Sequence, residues 1–233
     1  SDHVATQSYS ASQINWANSE PLNCDRHKSI FYKYNAIPEF CFGCYKVQIE
    51  PRTVLELIQI SLLFSTHQGF NKYIRKSMIE LRPNVGGFYK SLIYCGSYEA
   101  ARELLEITDD LIEKNTGLKF YSKIKHGCSE YEKAYPSFGL IGENQKAGLK
   151  YDSSWKSFEG EYDSSDPVKV GNIPVQATDG FHLQFWLIIR NWFAYAAGLG
   201  DDSRVKMELN GPWEKLYYKK AVERKKYMSF KAK

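Results

Sequence analysis

Cys41-Phe42-Gly43-Cys44 sets two thiols at the spacing where one tight turn aims both sulfurs at a single ion, and Gly43 leaves the backbone free to make that turn. A third thiol, Cys128, follows His126-Gly127, and a fourth, Cys24, stands in the polar stretch ahead of the pair. Four thiolates in a tetrahedron suit zinc, and they also suit an iron–sulfur cluster. The interval of sixteen residues between Cys24 and Cys41 matches no standard signature of either. Phe40, Phe42 and Tyr45 make the surroundings apolar, which favours a closed structural centre over an open catalytic one. The same atoms have other uses. His126 can replace Cys24 as a ligand, Cys128 with His126 and Glu130 has the residue types of a cysteine nucleophile, and free buried cysteines also serve as small hydrophobes.

Whether these thiols meet depends on the elements that carry them. Tyr45, Val47 and Ile49 alternate with Lys46, Gln48 and Glu50, the pattern of a half-buried strand. Pro51 ends it, and Thr53 opens a helix to Phe64. Ser77–Arg82 and Phe88–Cys95 read as strands joined through Asn84-Val85-Gly86-Gly87. Ser97 leads into a helix from Tyr98 to Lys114 that Gly117 stops, and Leu118–His126 reads as a last strand. Strand, helix, strand, strand, helix, strand resembles the ferredoxin-like split βαβ fold, an α+β arrangement with spatial strand order 4-1-3-2 and both helices on one face. In it the start of the first strand lies beside the end of the fourth. That brings Cys41 and Cys44 to Cys128, with Cys24 as the fourth ligand, and Cys95 is expected at the opposite end of the sheet.

Around this core, residues 1–36 read as a polar arm with one short helix near Ser12–Ala17, and 37–135 as the ferredoxin-like unit. Residues 136–176 read as a wrapping loop or linker rich in rings, and 177–233 as helices packed on the core with a basic tail. The stretch Asp179–Ala197 is apolar nearly all round and must be covered on most sides. Placed over the polar face of the sheet, it would close a cleft lined by Glu50, Glu80, Arg82, Arg190 and His182. Glu50 or Glu80 would be the general base and Arg82 an anion clamp for a small-molecule ligand.

Composition narrows the classes. The net charge of +4 is uneven: residues 214–233 carry +6, which leaves −2 on the rest, so the body does not read as a nucleic-acid surface. The basic tail is a candidate contact for a polyanion or a protein partner, and the chain also fits a nucleic-acid module working through it, or a scaffold domain of a larger protein. Strand residues Lys46 and Gln48 occupy places where RNA-recognition sheets carry stacking aromatics. No P-loop, G-x-G-x-x-G, H-E-x-x-H or G-x-S-x-G occurs. No apolar run is long enough to span a membrane, and no basic-then-apolar leader opens the chain. An odd count of five cysteines fits a reducing, cytoplasmic setting in which clustered thiols hold metal.

Overall fold

A computed structural model describes residues 13–18, 22–142, 147–165, 183–207 and 215–231. The architecture is α+β. The strands are β1 (Ile14–Ala17), β2 (Tyr45–Ile49), β3 (Ile74–Ile79), β4 (Tyr89–Cys95) and β5 (Lys123–His126). The helices are α1 (Cys24–Tyr34), α2 (Val54–Thr66), α3 (Tyr98–Thr116), α4 (Ser129–Glu132), α5 (Trp155–Ser165), α6 (Leu183–Leu199) and α7 (Lys215–Lys231). The strands form one antiparallel sheet in the order β1-β3-β4-β2-β5.

Local chemistry sets the helix ends. Thr53 accepts a hydrogen bond from the Glu56 amide at 3.2 Å and Ser97 one from the Ala100 amide at 3.1 Å. Gly117, at φ 72°, closes α3 in the left-handed region. The last strand is shorter than the sequence pattern implies. Residues 118–122 leave the sheet because Asp109 of α3 takes the amide and hydroxyl of Ser122.

Alternation sorts the sheet into two faces. Tyr45, Val47, Ile49 and Ile93 pack on Ile60, Leu63 and Phe64 of α2 and on Ala101, Leu104 and Ile112 of α3. The second face carries Lys46, Gln48, Lys76, Met78, Lys90, Leu92 and Tyr94, and Leu22 and Cys24 pack on one end of it.

Three expectations change. In place of a short helix near Ser12–Ala17, the chain adds β1 as a fifth strand on the edge of β3. A four-residue strand has little local signal, and its pairing with β3 is supplied from about 60 residues away. The ring-rich stretch is not a plain loop. It holds α5, clamped to α1 by Arg26 on Asp163 at 2.6 Å and on Glu159 at 3.3 Å, with Phe158 stacked on Tyr34.

The apolar helix α6 does not lie over the polar face. Phe185, Ile188, Ile189, Trp192 and Phe193 pack with Val54, Leu57 and Ile58 of α2 and with Ile79 and Tyr89, on the side that α2 and α3 already cover. Tyr195 donates to the Glu80 carbonyl at 2.7 Å and Trp192 to the Gln13 carbonyl at 2.8 Å. The outer side of α6 takes α7, through Tyr217 and Ala221. An all-apolar helix is cheapest to bury between apolar neighbours. Over the second face it would desolvate a row of lysines.

Candidate metal centre

Antiparallel pairing of Tyr45 with His126 brings the start of β2 to the end of β5, and the Gly127 amide donates to the Cys44 carbonyl at 2.9 Å. Cys41 lies in the 3-10 turn Glu39–Gly43, and Cys44 closes that turn by donating its amide to the Cys41 carbonyl at 3.3 Å. Gly127 takes φ 59°, and its α-carbon is packed against the Phe138 ring so closely that a Cβ there has no room. That turn delivers Cys128. Cys24 is the first residue of α1.

Cys24, Cys41, Cys44 and Cys128 line one small cavity together with His27, Lys28 and Tyr131. Its volume is about 10 Å³, room for a single water-sized occupant and no organic molecule. All are free thiols. Among the described residues, no group of three or more His, Cys, Asp or Glu side chains is arranged so that it could hold a metal ion. The sulfurs surround the space without being drawn together on it.

Burial, with the neighbouring sulfurs, pushes Cys24 up to about 11 and Cys41 higher still. The Tyr131 hydroxyl lies 3.6 Å from the Cys41 sulfur. Thiols so disfavoured as anions are poor nucleophiles by themselves. The Cys–His arrangement is not assembled: Nδ1 of His126 lies 2.6 Å from the Phe138 carbonyl oxygen and Nε2 lies 3.1 Å from that of Phe42. Glu130 is engaged by Arg82 at 2.8 Å. His126 is thereby also placed with backbone carbonyls rather than in the cavity lining.

Cys95 corrects a topological expectation. It pairs with Tyr45, so it stands at the same end of the sheet as Cys44, because β2 and β4 run antiparallel. Strand alternation turns its side chain onto the α2–α3 face, where it packs on the core beside Tyr45. That orientation, not its position along the sheet, keeps it out of the cavity.

Lys28 lines the cavity, and two further lysines, Lys46 and Lys76, stand beside it. Lys46 is 4% exposed; its Nζ donates to the Gly127 carbonyl at 2.6 Å and lies 3.5 Å from the Cys128 sulfur. Burial opposes its charge, but Cys128, Tyr94 and Cys44 outweigh that and hold it protonated well above its ordinary range. Lys76, 4.9 Å over the Trp16 ring, is lowered to about 8 by burial and by Lys46. Neither forms an ion pair among the described residues; Lys76 is half-buried, but Lys46 is a buried charge, among the costlier features a fold carries.

Of the acid–base residues read from the sequence, Glu80 and Arg82 meet, Glu50 stands near them through Lys90, and Arg190 does not join them. Arg82 donates to Glu80 through Nε at 2.8 Å and Nη2 at 2.7 Å, and Lys90 donates to the same carboxylate at 3.0 Å. These partners outweigh burial and hold Glu80 at about 2, so it does not take a proton near neutrality. Glu50 is tied to Lys123 at 2.8 Å and to Gln48. Arg190 is exposed on α6, across the sheet from them. His182 lies outside the described residues. A separate open groove of about 650 Å³ beside β5 is lined by Tyr98, Leu105, Ile124 and Ile141, and Lys123 is its one charged lining residue among the described residues.

Sequence reasoning missed His27. It is buried, lines the cavity, and sits one helical turn after Cys24, so Cys24-x-x-His27 was the available signal. Burial and Arg26 push it down to about 4, which keeps the ring neutral. No protein-family model, no curated protein and no solved structure matches this chain.

Proposed function

We propose that this is a metalloprotein in which Cys24, Cys41, Cys44 and Cys128 close on one thiophilic ion, zinc before an iron–sulfur cluster. The observation that carries the reading is Lys46, buried without an ion-pair partner among the described residues and in contact with a cysteine of a four-thiol cavity. Four thiolates on a divalent ion leave two negative charges, which the ammonium groups of Lys46 and Lys76 would balance. The ion supplies the positive charge that buried sulfurs need in order to lose their protons. Cavity size favours zinc, since several irons with bridging sulfides need more room than one water. The role is structural: the ion would tie α1, the turn before β2 and the turn after β5. Such a centre belongs in a reducing compartment, which keeps a cytoplasmic setting as part of the proposal. Strands β2 to β5 stand in the order β5-β2-β4-β3 with α2 and α3 on one face, which supports a ferredoxin-like unit extended by β1.

The test is elemental analysis and an absorption spectrum of protein purified without chelator, followed by zinc titration of the stripped form. About one zinc per chain, lost in Cys41→Ser and Cys44→Ser, is the expected result. Stripped wild-type protein that takes up neither zinc nor cobalt would end the proposal.

A second reading concerns α7, where Lys219, Lys225 and Lys226 are exposed beside Tyr218 and Phe230. This surface suits a polyanion. Deleting the tail from Ala221 onward is a poor test, because Ala221 and Arg224 are buried. Lys219→Glu with Lys225→Glu and Lys226→Glu should abolish any salt-sensitive polyanion binding and leave the fold intact.

A further inference from the structure

Gly198 of α6 lies against Ala221 of α7, and Tyr195 stands beside Arg224, so the two helices run antiparallel. At about 1.5 Å of rise per residue, that register sets Phe230 level with Ile189, within about one turn of Trp186, Leu187 and Arg190. Trp186 is 56% exposed, Leu187 51% and Phe230 86%. Phe185, Ile188 and Ile189, on the other side of the same turns of α6, already fill the core, so the packing of the fold does not account for the apolar groups left outside. Cations surround them. Arg190, Lys225 and Lys226 are exposed, and helical spacing puts Lys219, Lys226 and Phe230 on one stripe of α7. Glu223 is the one acid among the described residues of α7, and Lys220 holds it at 3.4 Å.

We infer that this end of the α6–α7 pair docks on an anionic lipid bilayer, with Trp186, Leu187 and Phe230 entering the boundary between headgroups and acyl chains and the lysines and Arg190 meeting the lipid phosphates and carboxylates. The inference deepens the polyanion reading of α7 and rests on it. Charge complementarity calls for an anionic partner, and the apolar groups select which one. A nucleic acid would use the lysines and could stack a base on Phe230, but Leu187 offers a base no flat face. A bilayer uses both kinds of side chain at once: aliphatic and aromatic groups in the apolar boundary, an indole at the interface, and ammonium groups against anionic headgroups. The attachment is peripheral and reversible, since among the described residues no helix is long and apolar enough to cross a membrane.

Co-sedimentation of the full chain with vesicles of equal parts phosphatidylcholine and phosphatidylserine, and with vesicles of phosphatidylcholine alone, tests this. Retention on heparin measures binding to a bare polyanion in parallel, and circular dichroism checks the fold of each variant. Wild type should bind the mixed vesicles and not the phosphatidylcholine ones. Lys219→Glu with Lys225→Glu and Lys226→Glu should weaken vesicle binding by roughly 100-fold or more and abolish heparin retention. Leu187→Ser with Phe230→Ser should weaken vesicle binding roughly 10- to 100-fold and leave heparin retention unchanged. Phe230→Ser alone carries the same test should the double variant misfold. Heparin retention without binding to mixed vesicles overturns the bilayer and leaves the polyanion reading standing, whereas binding to neither defeats both. Unweakened vesicle binding by the serine variants, or equal binding of wild type to phosphatidylcholine alone, also overturns it.

Discussion

Glu80 and Lys46 show how differently two buried charges can be supported on one face of a sheet. Glu80 takes three hydrogen bonds from two cations, Arg82 and Lys90, so its depressed acidity is a stability statement. The group's folded affinity for protons lies below its ordinary 4.5, at about 2. Its contribution is therefore complete above about pH 5 and is lost as pH falls through the interval down to 2. Glu80→Gln should lower unfolding free energy at pH 7 by on the order of 3 kcal/mol, with the gap to wild type closing by pH 2 to 3. Urea midpoints at pH 7 and pH 3 measure both halves of that statement. Lys46 has a carbonyl, a sulfur and the Tyr94 ring, with no carboxylate among the described residues. Lys46→Met should weaken zinc binding roughly 10- to 100-fold, as loss of an outer hydrogen-bond partner does. It should leave the stripped protein at least as stable as wild type, and titration with parallel melts of the stripped forms would show whether the two effects separate.

At the scale of elements, the α6–α7 contact depends on the absence of a side chain at Gly198. A Cβ there would sit 2.6 Å from both the Ala221 methyl and the Tyr218 carbonyl oxygen. Gly198→Ala should force the helices apart and cost about 1 to 3 kcal/mol, read as a lower urea midpoint with an unchanged slope. Trp192 of α6, fully buried in the cluster it shares with α2 and donating to the Gln13 carbonyl, anchors the other side of that helix. The hairpin between β3 and β4 is held by a neighbour as well as by its turn. Arg224 of α7 donates to the carbonyls of Arg82, Val85 and Gly87 and lies over the Phe88 ring. The basic composition of α7 thus hides one arginine that serves as a brace, while its exposed lysines stay at the surface.

For the whole molecule, the thiol cavity gathers three segments that are about 100 residues apart at the extremes, and the cluster of Phe31, Cys41, Phe42, Cys128 and Tyr131 joins the same three beside it. Binding an ion to the folded form alone stabilises it by mass action. Free zinc at roughly 100 times its dissociation constant should add about 2.7 kcal/mol, or on the order of 5 to 10 °C in melting temperature for a chain of this size. Excess chelator should reverse the shift, and thermal melts with and without zinc would reveal it. An unchanged melt in saturating zinc would count against a structural role. Among the described residues no helix is long and apolar enough to cross a membrane.

Caps, alternation and the C-x-x-C turn are short-range features, and they were legible without coordinates. Thr53, Ser97 and Gly117 bound their helices because each acts within one turn of itself, and the strand pattern at Tyr45–Ile49 fixed which residues share a face. The approach of Cys41 and Cys44 to Cys128 follows from strand order, which is a coarse property, whereas Cys24 is carried there by α1, a helix in a stretch read as a polar arm. Tertiary structure alone decided the side of the sheet that α6 covers, the direction Cys95 faces, the pairing of β1 and the burial of His27. Each of these turns on what packs against what across long separations, where a residue's own type and its near neighbours say almost nothing about the partner.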